Sequence, residues 1–282
     1  MSVQYRKQAS VGQKAIEKLE AELNIRILHI RRLLDAAELE PELKLPRLDV
    51  DEFGGDPERI AELVRRTWLV PSGPIRELVA WVERAGFIVV HCDFAALRVD
   101  GFTVQIPDMP PCIFLNRNQP ADRQRFSLAH ELGHVVMHSV PSPEIEQEAN
   151  DFAAALLMPS RDIRPHLSGR RMTIQTLAGL KPIWRVSMAA LLVRAKTIGS
   201  ITANQSQYLW RQMSSMGYRR AEPPELDFRA EEPTILPEII RLHLEELGYE
   251  LSDLAKVLCS TEDDLRDLHP FPSATSHLRV VK

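Results

Sequence analysis

The segment Arg125-Phe126-Ser127-Leu128-Ala129-His130-Glu131-Leu132-Gly133-His134 sets two imidazoles four positions apart in an apolar-patterned helix, with a carboxylate directly after the first. Four positions advance an α-helix by about 6 Å and slightly more than one turn, so His130 and His134 leave the same face and can hold one metal ion between them. Glu131 sits beside that face. There it can take a proton from water, whose pKa a zinc ion lowers to about 7. A chain with this segment must build around one unbroken helix that keeps a polar side open, and the rest of the fold has to accommodate that helix.

This is the HExxH arrangement of metalloproteases, and a catalytic zinc of that type needs a third protein ligand from a neighbouring element. After His138 the stretch Ser139-Val140-Pro141-Ser142-Pro143 cannot continue a helix, because proline lacks the amide proton and clashes with the preceding turn. Helix resumes near Glu144 and runs through strong helix formers to a stop at Pro159. So short a link lets the two helices pack side by side. Glu146 and Asn150 share a face at i and i+4, which would place one carboxylate on the metal and one amide behind a ligand. On spacing alone Glu144 and Glu148 compete with Glu146.

Read as motifs, these segments are Arg-x-x-Phe-Ser-x-Ala-His-Glu-Leu-Gly-His at 123–134 and Glu-x-Glu-Ala-Asn-x-Phe-Ala-x-x-Leu-Leu-Met-Pro at 146–159. Together they resemble the ImmA/IrrE family of zincin-type metallo-endopeptidases over about residues 56–220, with either Arg123 or Arg125 in the family's basic position. The resemblance implies metal ligands His130, His134 and Glu146, with Glu131 as general base. It also implies a specific intracellular protein substrate, a DNA-binding repressor or antitoxin-like partner cleaved under stress, and so a link to transcription regulation. The family often sets a helix-turn-helix domain ahead of the peptidase unit, whereas this chain is expected to begin directly with a basic helix. Two imidazoles and one carboxylate favour Zn²⁺, with Mn²⁺ the alternative.

Composition fits an intracellular enzyme. The 282 residues are 44% hydrophobic, enough for one substantial core with small satellites, and a net charge of −4 exerts no global pull on nucleic acid or anionic membrane. Cys92, Cys112 and Cys259 form no CxxC pair and are odd in number, which points to the reducing cytoplasm. The N-terminus has no signal-peptide stretch, and no apolar run approaches a membrane span.

Three regions follow: residues 1–55 with a basic amphipathic helix and a linker, a peptidase domain at 56–220, and a helical C-terminal region with a tail at 221–282. Apolar residues at three- and four-residue steps predict the first helix over 12–38, with a basic outer face that suits nucleic acid or an acidic partner. Helices are predicted at 57–69 and 74–85, each opened by a proline, the second stopped by Gly86. Runs at Phe87–His91, Phe102–Ile106 and Cys112–Asn116 predict a small antiparallel sheet. The expected fold class is therefore α+β: a zincin-like domain with a small antiparallel sheet beside the HExxH helix, flanked by helical regions. A strand edge over the cleft would receive a peptide by strand addition. Residues 173–198 have the rhythm of a helix-turn-helix with Lys181, Arg185, Arg194 and Lys196 as its cations, a rhythm more often produced by two helices packed on a catalytic core. Prolines at 223, 224, 233 and 237 predict a second linker.

His138, one turn beyond His134, reads as a helix-end cation rather than a fourth ligand. His29, His91, His166, His243, His269 and His277 show no ligand spacing. For the oxyanion-stabilising group Tyr208, Tyr218, His166 and Arg171 stand equal. The competing function is a non-catalytic regulatory or toxin-antitoxin module with a structural or sensory metal site, which would not need the Glu131 carboxylate.

Overall fold

The computed structural model describes residues 13–48, 50–94, 99–138, 143–168, 172–269 and 271. Helix α1 (Gln13–Leu34) buries Leu19, Leu23, Ile27, Ile30 and Leu33, the apolar stripe that its periodicity demands. Helix α2 (Pro57–Thr67) starts where Asp56 accepts a 3.0 Å bond from the Glu58 amide and Pro57 occupies the first turn. Helix α3 (Leu78–Arg84) ends at Gly86, whose φ of +89° needs glycine and where a Cβ would lie 2.7 Å from the Pro41 ring. It starts four residues later than the sequence predicts. The Ile75 carbonyl and the Val79 amide would bond each other in a continued helix, but Arg125 takes the first at 2.6 Å and Glu231 the second at 2.8 Å.

Strands β1 (Ile88–Cys92), β2 (Gly101–Val104) and β3 (Cys112–Asn116) form one sheet in the order β1-β3-β2. The α+β class holds, and the expected antiparallel sheet is instead mixed: β2 runs antiparallel to β3, while β1 lies parallel to it. The centre of a sheet covered on both faces calls for an unbroken apolar strand. β3, Cys-Ile-Phe-Leu-Asn and buried throughout, meets that demand, whereas Gly101 and Thr103 of β2 suit an edge. On one face Val89, Ile113 and Leu115 join the main core. On the other, Ile88, Val90, Phe102, Val104 and Phe114 pack against α1 and the C-terminal helices.

Helix α4 (Ala121–Met137) carries the HExxH segment and lies against α5 (Ile145–Leu157). Gly133 permits that approach, since a Cβ there would come within 2.9 Å of the Phe152 ring. Helices α6 (Ser160–Leu167), α7 (Ile174–Trp184), α8 (Met188–Thr197) and α9 (Ala203–Ser215) follow, with Leu167, Trp184, Leu191 and Leu209 completing the main core. Between α7 and α8 the chain turns through Arg185 at φ +53°, and Ser187 caps α8 by accepting from the Ala190 amide at 3.0 Å. Most of the cations of this helix pair serve the fold. Lys181 is buried against Asp122 at 2.7 Å and Glu222 at 2.9 Å, Arg194 is buried against Glu58 at 2.7 Å, and Arg185 bonds the Arg76 carbonyl.

The stretch predicted as a second linker is pinned by acids at both ends of its contacts, its own Glu222 and Glu231 and Glu83 of α3. Glu222 accepts from Lys181 and the Met188 amide, and Glu231 pairs with buried Arg125, while Glu83 accepts from the Thr234 and Ile235 amides. Helices α10 (Ile235–Arg241), α11 (Leu251–Leu258) and α12 (Glu262–Leu268) then close over the second face of the sheet beside α1. Among the described residues no single helix is long and apolar enough to cross a membrane; α7 and α8 reach that length only together, bent by 104°.

Candidate metal centre

α4 delivers both imidazoles to one place. The Nε2 atoms of His130 and His134 are 3.0 Å apart, with the rings nearly perpendicular at 84°. From α5, Glu146 places Oε1 3.6 Å from His134 Nε2 and Oε2 3.8 Å from His130 Nε2. Among the described residues this is the one group of three or more His, Cys, Asp or Glu whose ligand atoms all lie within 4.8 Å of one another. Donors about 2.0–2.1 Å from a common tetrahedral ion are roughly 3.3 Å from each other. The separations of 3.0, 3.6 and 3.8 Å bracket that value, so the donor set fits a zinc-sized cation.

The backs of the rings are held as well. His130 Nδ1 lies 3.0 Å from Asn150 Oδ1, so this ring donates from Nδ1 and keeps its Nε2 lone pair forward. His134 Nδ1 lies 2.9 Å from His138 Nδ1, whose Nε2 in turn is 3.0 Å from Glu148 Oε2. His138 thus lies outside the group of three converging side chains, with both ring nitrogens engaged. It caps α4, its backbone N–H on the His134 carbonyl at 3.1 Å, and its ring turns back along the helix. Of the competing acids, Glu148 is taken up by His138, and Glu144 is the exposed N-cap of α5.

Desolvation sets the electrostatics. It lowers His130 below the ordinary imidazole range and takes His134 down to about 3, where the neighbouring His130 and His138 rings add to the effect. Both are therefore held neutral, the form that binds metal. The same desolvation pushes Glu131 up to about 7, opposed by a 2.8 Å bond in which Thr103 Oγ1 donates to its Oε2. The Thr103 backbone N–H also donates to this carboxylate. Thr103 is a site residue that motif reading missed. Its signal lay in β2, where Phe102 and Val104 enter the core and Gly101 and Thr103 face α4.

The two arginines of the first motif differ in burial. Arg125 is buried on the Ile75, Arg76 and Arg185 carbonyls and Glu231, whereas Arg123 is exposed and pairs with Asp100 at 2.8 Å. Of the four oxyanion candidates, Tyr208 is exposed beside Gln212, Tyr218 packs on the main core, His166 meets the Trp184 ring edge-on, and Arg171 lies outside the described residues.

The stretch from α3 to α8, residues 82–196, matches the Peptidase_M78 family, described as the IrrE N-terminal-like domain. Those residues are similar to a Peptidase_M78 domain. The match contains the whole sheet together with α4 and α5, in agreement with the resemblance to the ImmA/IrrE family, and supports a metallopeptidase-type function. α1 and α10–α12, which cover the second face of the sheet, fall outside it. No curated protein matches the chain.

Proposed function

We propose that this Peptidase_M78-like domain is an active zinc-dependent endopeptidase in which His130, His134 and Glu146 are the metal ligands and Glu131 is the general base. The observation that carries the reading is the convergence of three ligand atoms beside a carboxyl group whose pKa has risen to about 7, where a base works best near neutral pH. A divalent ion held there would act as a Lewis acid on a peptide carbonyl and acidify water. Glu131 takes a proton from the attacking water and returns it to the leaving amine, while the Thr103 hydroxyl fixes its Oε2. Strand β2 supports a polypeptide substrate, because it is an edge of the sheet and Thr103 joins it directly to Glu131. An extended segment can therefore add to β2 and lie beside the base.

The substrate we propose is a DNA-binding repressor or antitoxin-like protein, in keeping with the resemblance to the ImmA/IrrE family, and the setting the cytoplasm, where three free cysteines stay reduced. Direct DNA contact by the chain is a weaker proposal, since Lys181 and Arg194 are committed to buried ion pairs. Metal analysis tests the ligand set. Purified protein is expected to carry about one divalent ion per chain, retained in Glu144→Ala and lost in His134→Ala and Glu146→Ala. Metal kept at the wild-type level in Glu146→Ala would remove that residue from the set.

A further inference from the structure

We infer that His138 and Glu148 are positioning residues of the metal centre, a carboxylate–imidazole pair that sets the tautomer and ring orientation of His134 from behind. The inference rests on the reading of His134 as a ligand. An imidazole that ligates through Nε2 carries its proton on Nδ1 and needs an acceptor there. For His130 that acceptor is Asn150 Oδ1 at 3.0 Å. For His134 it is another ring nitrogen, His138 Nδ1 at 2.9 Å. To accept, His138 must leave Nδ1 bare and carry its own proton on Nε2, and Nε2 faces Glu148 Oε2 at 3.0 Å, an acceptor with no proton to give. Every hydrogen bond in the row then runs one way, from His134 through His138 to Glu148.

The architecture holds the row rigid. The His138 amide bonds the His134 carbonyl at 3.1 Å, so the two rings are fixed along one side of α4. The side chains of His138 and Glu148 are 7% and 19% exposed, against 50% for Glu146, so the backing pair is shielded where the ligand carboxylate stands open. α5 therefore supplies three polar groups with distinct tasks: Glu146 in front of the histidines, Asn150 behind His130, and Glu148 behind the imidazole that backs His134.

Zinc affinity of the full chain, measured by competition with a chelator, tests this without recourse to activity. His138→Phe and Glu148→Leu should each weaken zinc binding by about 10- to 100-fold, the range for groups that orient a ligand. Glu148→Gln, whose amide oxygen still accepts from His138, should recover most of the loss. Because Glu148 acts through His138, the double variant His138→Phe/Glu148→Leu should bind no more weakly than His138→Phe alone. In the zinc-loaded wild type a slowly exchanging imidazole N–H proton between the two rings should appear in the NMR spectrum and vanish in His138→Phe. Should His138→Phe fail to fold, Glu148→Leu against Glu148→Gln carries the comparison. Wild-type affinity in His138→Phe and Glu148→Leu, with binding still lost in Glu146→Ala, overturns the pair and leaves the ligand set standing. So does a double variant whose losses multiply. A wild-type chain that binds no zinc overturns both.

Discussion

Each carboxylate near the two imidazoles makes a different contact: Glu146 with both rings, Glu148 with His138 and Glu131 with Thr103. Helical spacing was enough to bring His130, His134 and Glu131 to one side of α4 and to make Glu146 and Asn150 a pair, because a 3.6-residue repeat converts sequence separation directly into a shared face. It could not separate Glu146 from Glu148, which depends on how α4 and α5 are rotated against each other. Nor could it foresee Thr103, which reaches Glu131 from 28 positions away, or the ring of His138, which the end of α4 turns backward. Thr103 gives a sharp prediction. Its hydroxyl stabilises the Glu131 carboxylate, so Thr103→Val should raise the pKa of this group, and loss of one bond to a charged group, about 1.5–3 kcal/mol, corresponds to roughly one to two pH units. The acidic limb of the cleavage–pH profile should move upward by about that amount, with rates converging on wild type at alkaline pH. An unmoved limb would mean that the 2.8 Å contact does not act on the base.

Packing, more than propensity, sets the boundaries of the elements. The Pro57 start of α2 and the Gly86 stop after α3 were legible because local chemistry fixes them. The start of α3 was not, since Arg125 and Glu231, distant in sequence, take the two groups that would have extended it. The strand order escaped for a similar reason: apolar runs mark strands, but which run takes the centre depends on both faces of the sheet being covered. Gly133 tests the packing of α4 on α5. Alanine normally gains about 0.8–1 kcal/mol over glycine within a helix. Here its Cβ would lie 2.9 Å from the buried Phe152 ring, and overpacking costs about 1–3 kcal/mol. Gly133→Ala should therefore lower the melting temperature and weaken zinc binding together, as Glu146 shifts with α5. A variant more stable than wild type would show that the two helices have room to spare.

The chain closes on itself, because α1 and α10–α12, from opposite ends of the sequence, share the second face of the sheet. At their junction His29 Nδ1 lies 2.9 Å from His269 Nε2, with Arg26 bonded to the Leu268 carbonyl, Arg32 close by, and Asp264 the facing acid. Desolvation lowers both rings, His269 to about 3, with His29 and Arg26 adding to the shift. A histidine depressed in the folded state takes up protons in the unfolded state first, so its stability contribution is intact above the ordinary value near 6.5 and is lost as pH falls below it. Each such histidine gives a slope of up to about 1.4 kcal/mol per pH unit. The melting temperature should fall between pH 6.5 and 5, and His269→Gln should flatten that dependence even where it lowers stability overall. An equally steep profile in His269→Gln would place the acid sensitivity elsewhere. None of this was legible beforehand, because residues 240 apart in sequence carry no local signal of contact. The functional claim is tested most directly by Glu131→Gln, which keeps size and most hydrogen bonding but removes the base. Wild type and variant are co-incubated with candidate repressor or antitoxin proteins encoded beside this chain, with metal content measured on the same samples. Equal metal with cleavage reduced at least about a hundredfold is the expected result. Cleavage at the wild-type rate by Glu131→Gln, or metal-loaded wild type that leaves every candidate intact, would contradict it and favour a binding module.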